Sequence, residues 1–136
     1  MTASGPFVPY ARTSRYLDLV GPLYQHRDDA SLVGLQTDER HTNSRGAVHA
    51  GVLVAIADTV MGHSAERAAA TGARVVTVSL TTDFIEAARG GEWIQAQATV
   101  RRCGRRLAFT SCAFHVADRL ILTASGVFAV TGADSP

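Results

Sequence analysis

The 136-residue chain predicts an α+β domain in which an antiparallel sheet wraps around one long helix. Three observations lead there. Residues 50–70 carry one long helical pattern, and its first half, AGVLVAIADTVMG, is apolar around nearly its whole circumference, as in a helix buried on all sides. Four strand-like stretches follow it at residues 74–85, 93–102, 107–116 and 120–130. The connections after Ile85 are too short for parallel crossovers, so that part of the sheet should be antiparallel.

Taken in order, residues 1–14 are rich in Pro, Gly, Ser and Thr and predict a loose arm. Residues 15–24 predict a short helix, broken near Gly21 and Pro22. The arm and this helix (1–30) precede the main domain (31–136), whose first strand is expected at 31–40 and whose next segment, 41–49, is a polar loop containing Gly46. The half HSAERAAA of the long helix is more polar and should emerge into water, with Gly72 as the stop. In the strand at 93–102, Ile94, Ala96, Ala98 and Val100 share one face. Turn signals at Arg89-Gly90-Gly91, Cys103-Gly104 and Ala117-Asp118 separate the strands, which reads as a four-strand meander after the helix.

Composition narrows the function. Apolar residues make up 46% and charged residues 18%, which fits a globular domain and argues against disorder. The net charge of +1 lacks the strongly basic face that nucleic-acid binding needs. All 13 basic side chains are Arg, so any phosphate contact must be a guanidinium. Cys103 and Cys112 form no metal or redox motif and read as free thiols. No apolar run is long enough for a membrane span, and the start of the chain lacks the pattern of a signal peptide. The expected compartment is therefore the cytoplasm, with no metal or other cofactor and no nucleic-acid or membrane partner.

Asp58 is the only ionisable side chain between Ala50 and Gly62. Its helical neighbours at three and four positions, Val54, Ala55, Met61 and Gly62, cannot pair with it. A buried Asp is costly unless it is compensated. Either distant donors satisfy it, or it is a carboxylate placed for chemistry in a cleft. The loop before the helix favours chemistry. Asn43 and His49 lie close to the helix start at Ala50 and Gly51, where unpaired amides at the positive end of the dipole can polarise a carbonyl. The small residues Ala50 and Gly51 let a substrate approach that backbone.

The segment HTNSRGAVHAGVLVAIAD resembles the signature of acyl-coenzyme A thioesterases of the hotdog fold, of the phenylacetic-acid-degradation type. Asn43, Gly46, His49, Gly51 and Asp58 are in register, and the likeness runs over residues 31–131. Ala50 departs from it, standing where the family has Gly; the backbone N–H survives, but the added methyl narrows the site. The resemblance implies that Asn43 and the Ala50 amide hold the thioester carbonyl, and that His49 shapes the loop or handles the thiol. Asp58 would be general base or nucleophile, and Thr77 would position water. It also implies a dimer with a continuous sheet, which often pairs again into a tetramer.

Geometry adds an independent point. Ala50 and Asp58 are eight residues apart on one helix, about 12 Å along its axis. They cannot both meet one carbonyl that a nucleophile must approach to about 3 Å. If both act, the Ala50 amide of one chain must face Asp58 of another, in a two-fold dimer with two sites. Arg101, Arg102, Arg105 and Arg106 bracket the Cys103-Gly104 turn, and Arg105 and Arg106 are candidates to clamp coenzyme A phosphates, with Arg15 and Arg74 as lesser ones. Three other functions compete, one of them a purely structural dimer, against which Asp58 argues. A non-catalytic acyl-coenzyme A-binding protein would share the fold without turnover. A hotdog hydratase or dehydratase would need a different His-containing signature.

Overall fold

The computed structural model describes residues 5–132. The elements run β1 (Phe7–Pro9), α1 (Arg15–Val20), β2 (Leu23–His26), β3 (Asp29–Gln36), a 3-10 turn (Glu39–His41), α2 (Ala50–Ala68), β4 (Arg74–Phe84), β5 (Trp93–Cys103), β6 (Leu107–Val116) and β7 (Arg119–Thr131). All seven strands form one antiparallel sheet in the order β1-β2-β3-β5-β6-β7-β4. Helix α2 packs across one face of it. The predicted α+β architecture, a sheet around one long helix, is the one observed.

Helix α2 begins at an N-cap, His49, and ends at Ala68. Its buried residues, Leu53, Ile56, Ala57, Val60, Met61, Ser64 and Ala65, recur at three- and four-residue spacing and face the sheet. They meet Val33, Leu35, Ile94, Phe114, Leu122 and Phe128 in a single core. The opposite face is less covered than the sequence suggests: Ala50 and Gly51 are exposed, and Val52, Val54, Ala55 and Asp58 are half-buried. Within one chain, the apolar circumference of α2 is therefore more than the sheet alone can cover.

Three expectations are corrected. Residues 7–9 are no loose arm but strand β1, paired with β2, and β3 begins at Asp29. Pairing with β2 and burial of the Phe7 ring against Trp93 order this short segment. The expected first strand at 31–40 stops at Gln36, because Asp38 caps the 3-10 turn with a capping box to His41.

The third correction concerns the meander, which is only β5-β6-β7. Strand β4 pairs with β7 at the far edge, and residues 85–92 cross the end of the sheet to reach β5. Arg119 fastens that crossing, with ion pairs to Glu86 at 3.1 Å and Glu92 at 2.5 Å.

Strand β4 is the feature that bears most on function. It is an 11-residue edge strand, long for an unprotected edge. Val76 and Val78 are 59% and 60% exposed on it, and Phe84 and Ile85 at its end are 51% and 54% exposed. A bulge breaks its register with β7 between Thr77 and Ser79. Thr77 lies opposite Phe128, whose ring is buried in the core, so the strand presents Thr77 on its helix side.

Candidate functional site

Two clefts hold the residues singled out in the sequence. The first, of roughly 370 Å³, contains Asp58, Thr77 and the second half of α2. Asp58 is half-buried, and the Thr77 hydroxyl donates to its Oδ1 at 2.6 Å. The bulge in β4 lies at this position, as bulges often do where a side chain must be re-aimed. The partner that the neighbouring helix positions cannot supply thus comes from β4. Gly62, one turn on, leaves room for Phe128: a Cβ there would lie 3.3 Å from the ring.

The second cleft, of roughly 280 Å³, contains Asn43, Ala50 and the residues Phe84 to Ala88. Asn43 is set by a tight turn. Its Oδ1 accepts from the Arg45 amide at 2.9 Å and the Ala47 amide at 3.2 Å, and Gly46 turns the chain at φ +79. With Oδ1 committed, the Asn43 Nδ2 group makes no hydrogen bond among the described residues. The loop is held by Val48, whose amide donates to the Ala88 carbonyl at 2.8 Å.

The helix start is more specific than the sequence suggests. His49 Nδ1 accepts from the Gly51 amide at 2.9 Å, and the His49 carbonyl accepts from the Val52 and Leu53 amides. Of these first-turn amides, Ala50 N–H alone has no acceptor among the described residues. His49 therefore shapes the helix start as its cap, Gly51 spends its amide on that cap, and Ala50 offers the open donor. This donor and the Asn43 amide group open onto one cleft, an arrangement suited to polarising a carbonyl oxygen.

The two clefts share no lining residue. One chain brings Asp58 and Thr77 together, and separately Asn43 and Ala50, but does not join the pairs.

Known proteins resemble this chain in sequence and in fold. A family profile described as "Thioesterase superfamily" matches residues 45–122. The chain belongs to the thioesterase superfamily. A Pseudomonas aeruginosa relative whose name is "Putative esterase" is 38% identical over 124 residues, spanning 90% of this chain and 92% of the relative. A Bacillus halodurans protein crystallised with coenzyme A superposes with a TM-score of 0.78, at 21% identity, over 88% of this chain and 78% of that one. The Escherichia coli PaaI protein, from the phenylacetic acid degradation operon, superposes with a TM-score of 0.69, at 20% identity, over 74% of this chain and 72% of that one. At those identities the two structural likenesses are likenesses of fold, and they make the fold of this thioesterase-superfamily chain a hotdog.

Several groups of this superfamily member were not legible in advance. Tyr10 Oη lies 2.5 Å from His63 Nδ1, and the two rings stack at 5.6 Å. Arg12 pairs with Glu66 at 2.6 Å, and Glu66 also accepts from the Val75 amide at 3.0 Å. The first segment thereby forms one wall of the Asp58 cleft. Burial pushes His63 down to about 4, with Arg12 acting in the same direction. Burial tends to raise the Glu66 carboxyl, but the Val75 amide and Arg12 outweigh it and hold it below its usual value. The only sequence signal was the placement of His63 and Glu66 on later turns of the Asp58 helix.

The arginines fall elsewhere. Arg105 and Arg106 are exposed on the β5–β6 hairpin and line neither cleft, and the arginine that lines the Asp58 cleft is Arg12. Burial pushes the Cys112 thiol up to about 12, which keeps it protonated and unreactive. No helix is long and apolar enough to cross a membrane, and no cluster of metal-binding side chains occurs among the described residues.

Proposed function

We propose that this protein is an acyl-coenzyme A thioesterase whose active sites are each shared by two copies of the chain. The carrying observation is the separation of a Thr77-held Asp58 in one cleft from the Asn43 and Ala50 donors in another. The edge strand supplies a way to unite them. Antiparallel pairing of β4 with β4 of a second copy sets the Thr77 half of one strand beside the Phe84 half of the other. Thr77 borders the Asp58 cleft and Phe84 borders the Asn43 cleft, so each cleft would meet its complement. The same pairing would cover Val76 and Val78 and satisfy the open edge.

The chemistry follows from the groups. The thioester oxygen accepts from the Ala50 N–H and the Asn43 amide, and negative charge developing there is stabilised. Asp58 of the other copy acts in one of two ways. It takes a proton from a water that attacks the carbonyl carbon, or it attacks directly and the resulting anhydride is hydrolysed. In both, the carbon–sulfur bond breaks and the thiolate of coenzyme A leaves, taking up a proton. Thr77 keeps one carboxylate oxygen engaged and the other presented to the reaction.

The finer grouping with thioesterases of the phenylacetic-acid-degradation type is supported by the loop signature from Asn43 to Asp58. Arg105 and Arg106 are supported as phosphate contacts by exposure and by side chains that pair with no acid among the described residues. A further pairing of dimers into a tetramer is consistent with Leu107 and Phe109, 40% and 37% exposed on the outer face of the sheet.

A panel of acyl-coenzyme A esters, read by thiol release, tests the proposal. Turnover of one or more esters is expected, with a fall of orders of magnitude in Asp58→Asn while the dimer persists. No release from any ester, or an Asp58→Asn enzyme that keeps most of its turnover, would overturn it. Specific binding without release would favour a binding protein instead.

A further inference from the structure

We infer that His63 sets acyl specificity, donating a hydrogen bond from its ring Nε2–H to an acceptor oxygen near the far end of the acyl group. This rests on the thioesterase reading above. His63 lies five residues beyond Asp58 on α2, roughly 7.5 Å along the helix axis, and lines the same cleft. An acyl chain whose carbonyl sits at Asp58 and which runs along the helix therefore passes His63.

The hydrogen bonding fixes what His63 offers. Its Nδ1 is taken by Tyr10 Oη at 2.5 Å, and the stacked rings are only 14° from parallel, which holds the imidazole in place. Nε2 has no partner among the described residues. Burial keeps the ring neutral at ordinary pH, so it carries a single proton. Burial also keeps the Tyr10 phenol protonated, although Arg67, whose guanidinium acts on the phenol oxygen, and Arg12 oppose that shift. A phenol is a much stronger hydrogen-bond donor than a neutral imidazole N–H, so the phenol hydrogen goes to Nδ1 and the ring proton is left on Nε2. The group facing the cleft is thus a neutral donor that no protein atom satisfies.

The surroundings suit an acyl group better than coenzyme A. Leu17, Val75 and Phe128 offer an apolar path past Gly62. Arg12 and Glu66 neutralise one another at 2.6 Å, so this wall has little spare charge for a phosphate. A cleft of roughly 370 Å³ accepts a short acyl chain, but not a whole coenzyme A. A purely hydrocarbon chain would bury the Nε2–H without a partner, a cost that an oxygen at that depth removes.

The test compares hexanoyl-coenzyme A with 6-hydroxyhexanoyl-coenzyme A, whose oxygen on an extended chain reaches about as far from the carbonyl as His63 lies from Asp58. The wild-type protein should favour the hydroxylated ester in kcat/KM by roughly 2- to 10-fold, the worth of one neutral hydrogen bond. His63→Phe keeps a flat ring and should bring the ratio to one or below. Tyr10→Phe keeps the stacking but frees the ring proton, and should lower the ratio part of the way. A merely structural role for these residues would slow both esters alike and leave the ratio unmoved. The inference is overturned if the wild type shows no preference, or if His63→Phe retains it; should that variant not fold, an unchanged ratio in Tyr10→Phe overturns it. Turnover of other esters but of neither hexanoyl compound refutes this inference alone. Failure to cleave any acyl-coenzyme A ester refutes the thioesterase reading along with it.

Discussion

Replacing Thr77 by Val removes one hydroxyl and leaves the strand-favouring shape intact. The Oγ1 to Oδ1 distance of 2.6 Å is that of a strong hydrogen bond to a carboxylate. Hydrogen bonds to charged groups contribute about 1.5–3 kcal/mol when well shielded. This one is solvent-exposed within a single chain, so the lower end applies, and 1.4 kcal/mol corresponds to about a tenfold change in rate. Thr77→Val should therefore lower kcat by about tenfold, more if the dimer shields the site, with a smaller change in KM. Thr77→Ser keeps the donor and should restore most of the rate. The assay is thiol release at saturating ester, with circular dichroism to confirm the fold. Full turnover in Thr77→Val, or equal losses in Val and Ser variants, would refute the role given to this contact.

Four further outcomes follow. Val78→Arg puts a charge on the exposed edge of β4 and should shift the protein toward monomer by sedimentation, with loss of most activity. His63 has a folded pKa of about 4 against an ordinary 6.5, so the folded state resists its protonation. Its effect is absent above pH 6.5 and costs stability progressively as pH falls toward 4, on the order of 1 kcal/mol once partial exposure is allowed for. Melting in His63→Gln should accordingly depend less on pH across that window. Replacing Arg105 and Arg106 together by Ala should raise KM for coenzyme A esters, with little change in turnover or in KM for short N-acetylcysteamine thioesters. Activity should survive EDTA; loss that zinc or magnesium reverses would contradict a metal-free reaction.

Local pattern carried the parts of the fold that depend on local rules. The apolar run 50–62 gave α2, alternation gave β5, and Gly104 and Ala117-Asp118 marked the hairpins. The candidate site residues stood out for similarly local reasons, because Asp58 is conspicuous in an apolar helix and Asn43 sits close to the helix start. Pairing partners were not legible. Nothing in RVVTVSLTTDF says that it lies beside β7 and leaves β5 to β3, since that order is set by residues 85–92 crossing the sheet end under Arg119. Tyr10 and His63 are 53 residues apart, and Arg12 and Glu66 are farther apart still, so no spacing rule joins them. The half-covered face of α2 follows similarly: the sequence records that it is apolar, not which surface covers it.

The shared site is the central claim, and mixing two inactive variants tests it most directly. Asn43→Ala and Asp58→Asn are each purified, unfolded and refolded together. A mixed dimer then has one site with both lesions and one with neither. Random pairing makes about half the dimers mixed, each with one working site of two, so about a quarter of wild-type activity should return. If Asn43 and Asp58 of the same chain formed the site, every site would carry one lesion. Mixing would then restore nothing, and that result, with subunit exchange verified by mass spectrometry, would contradict the two-chain site.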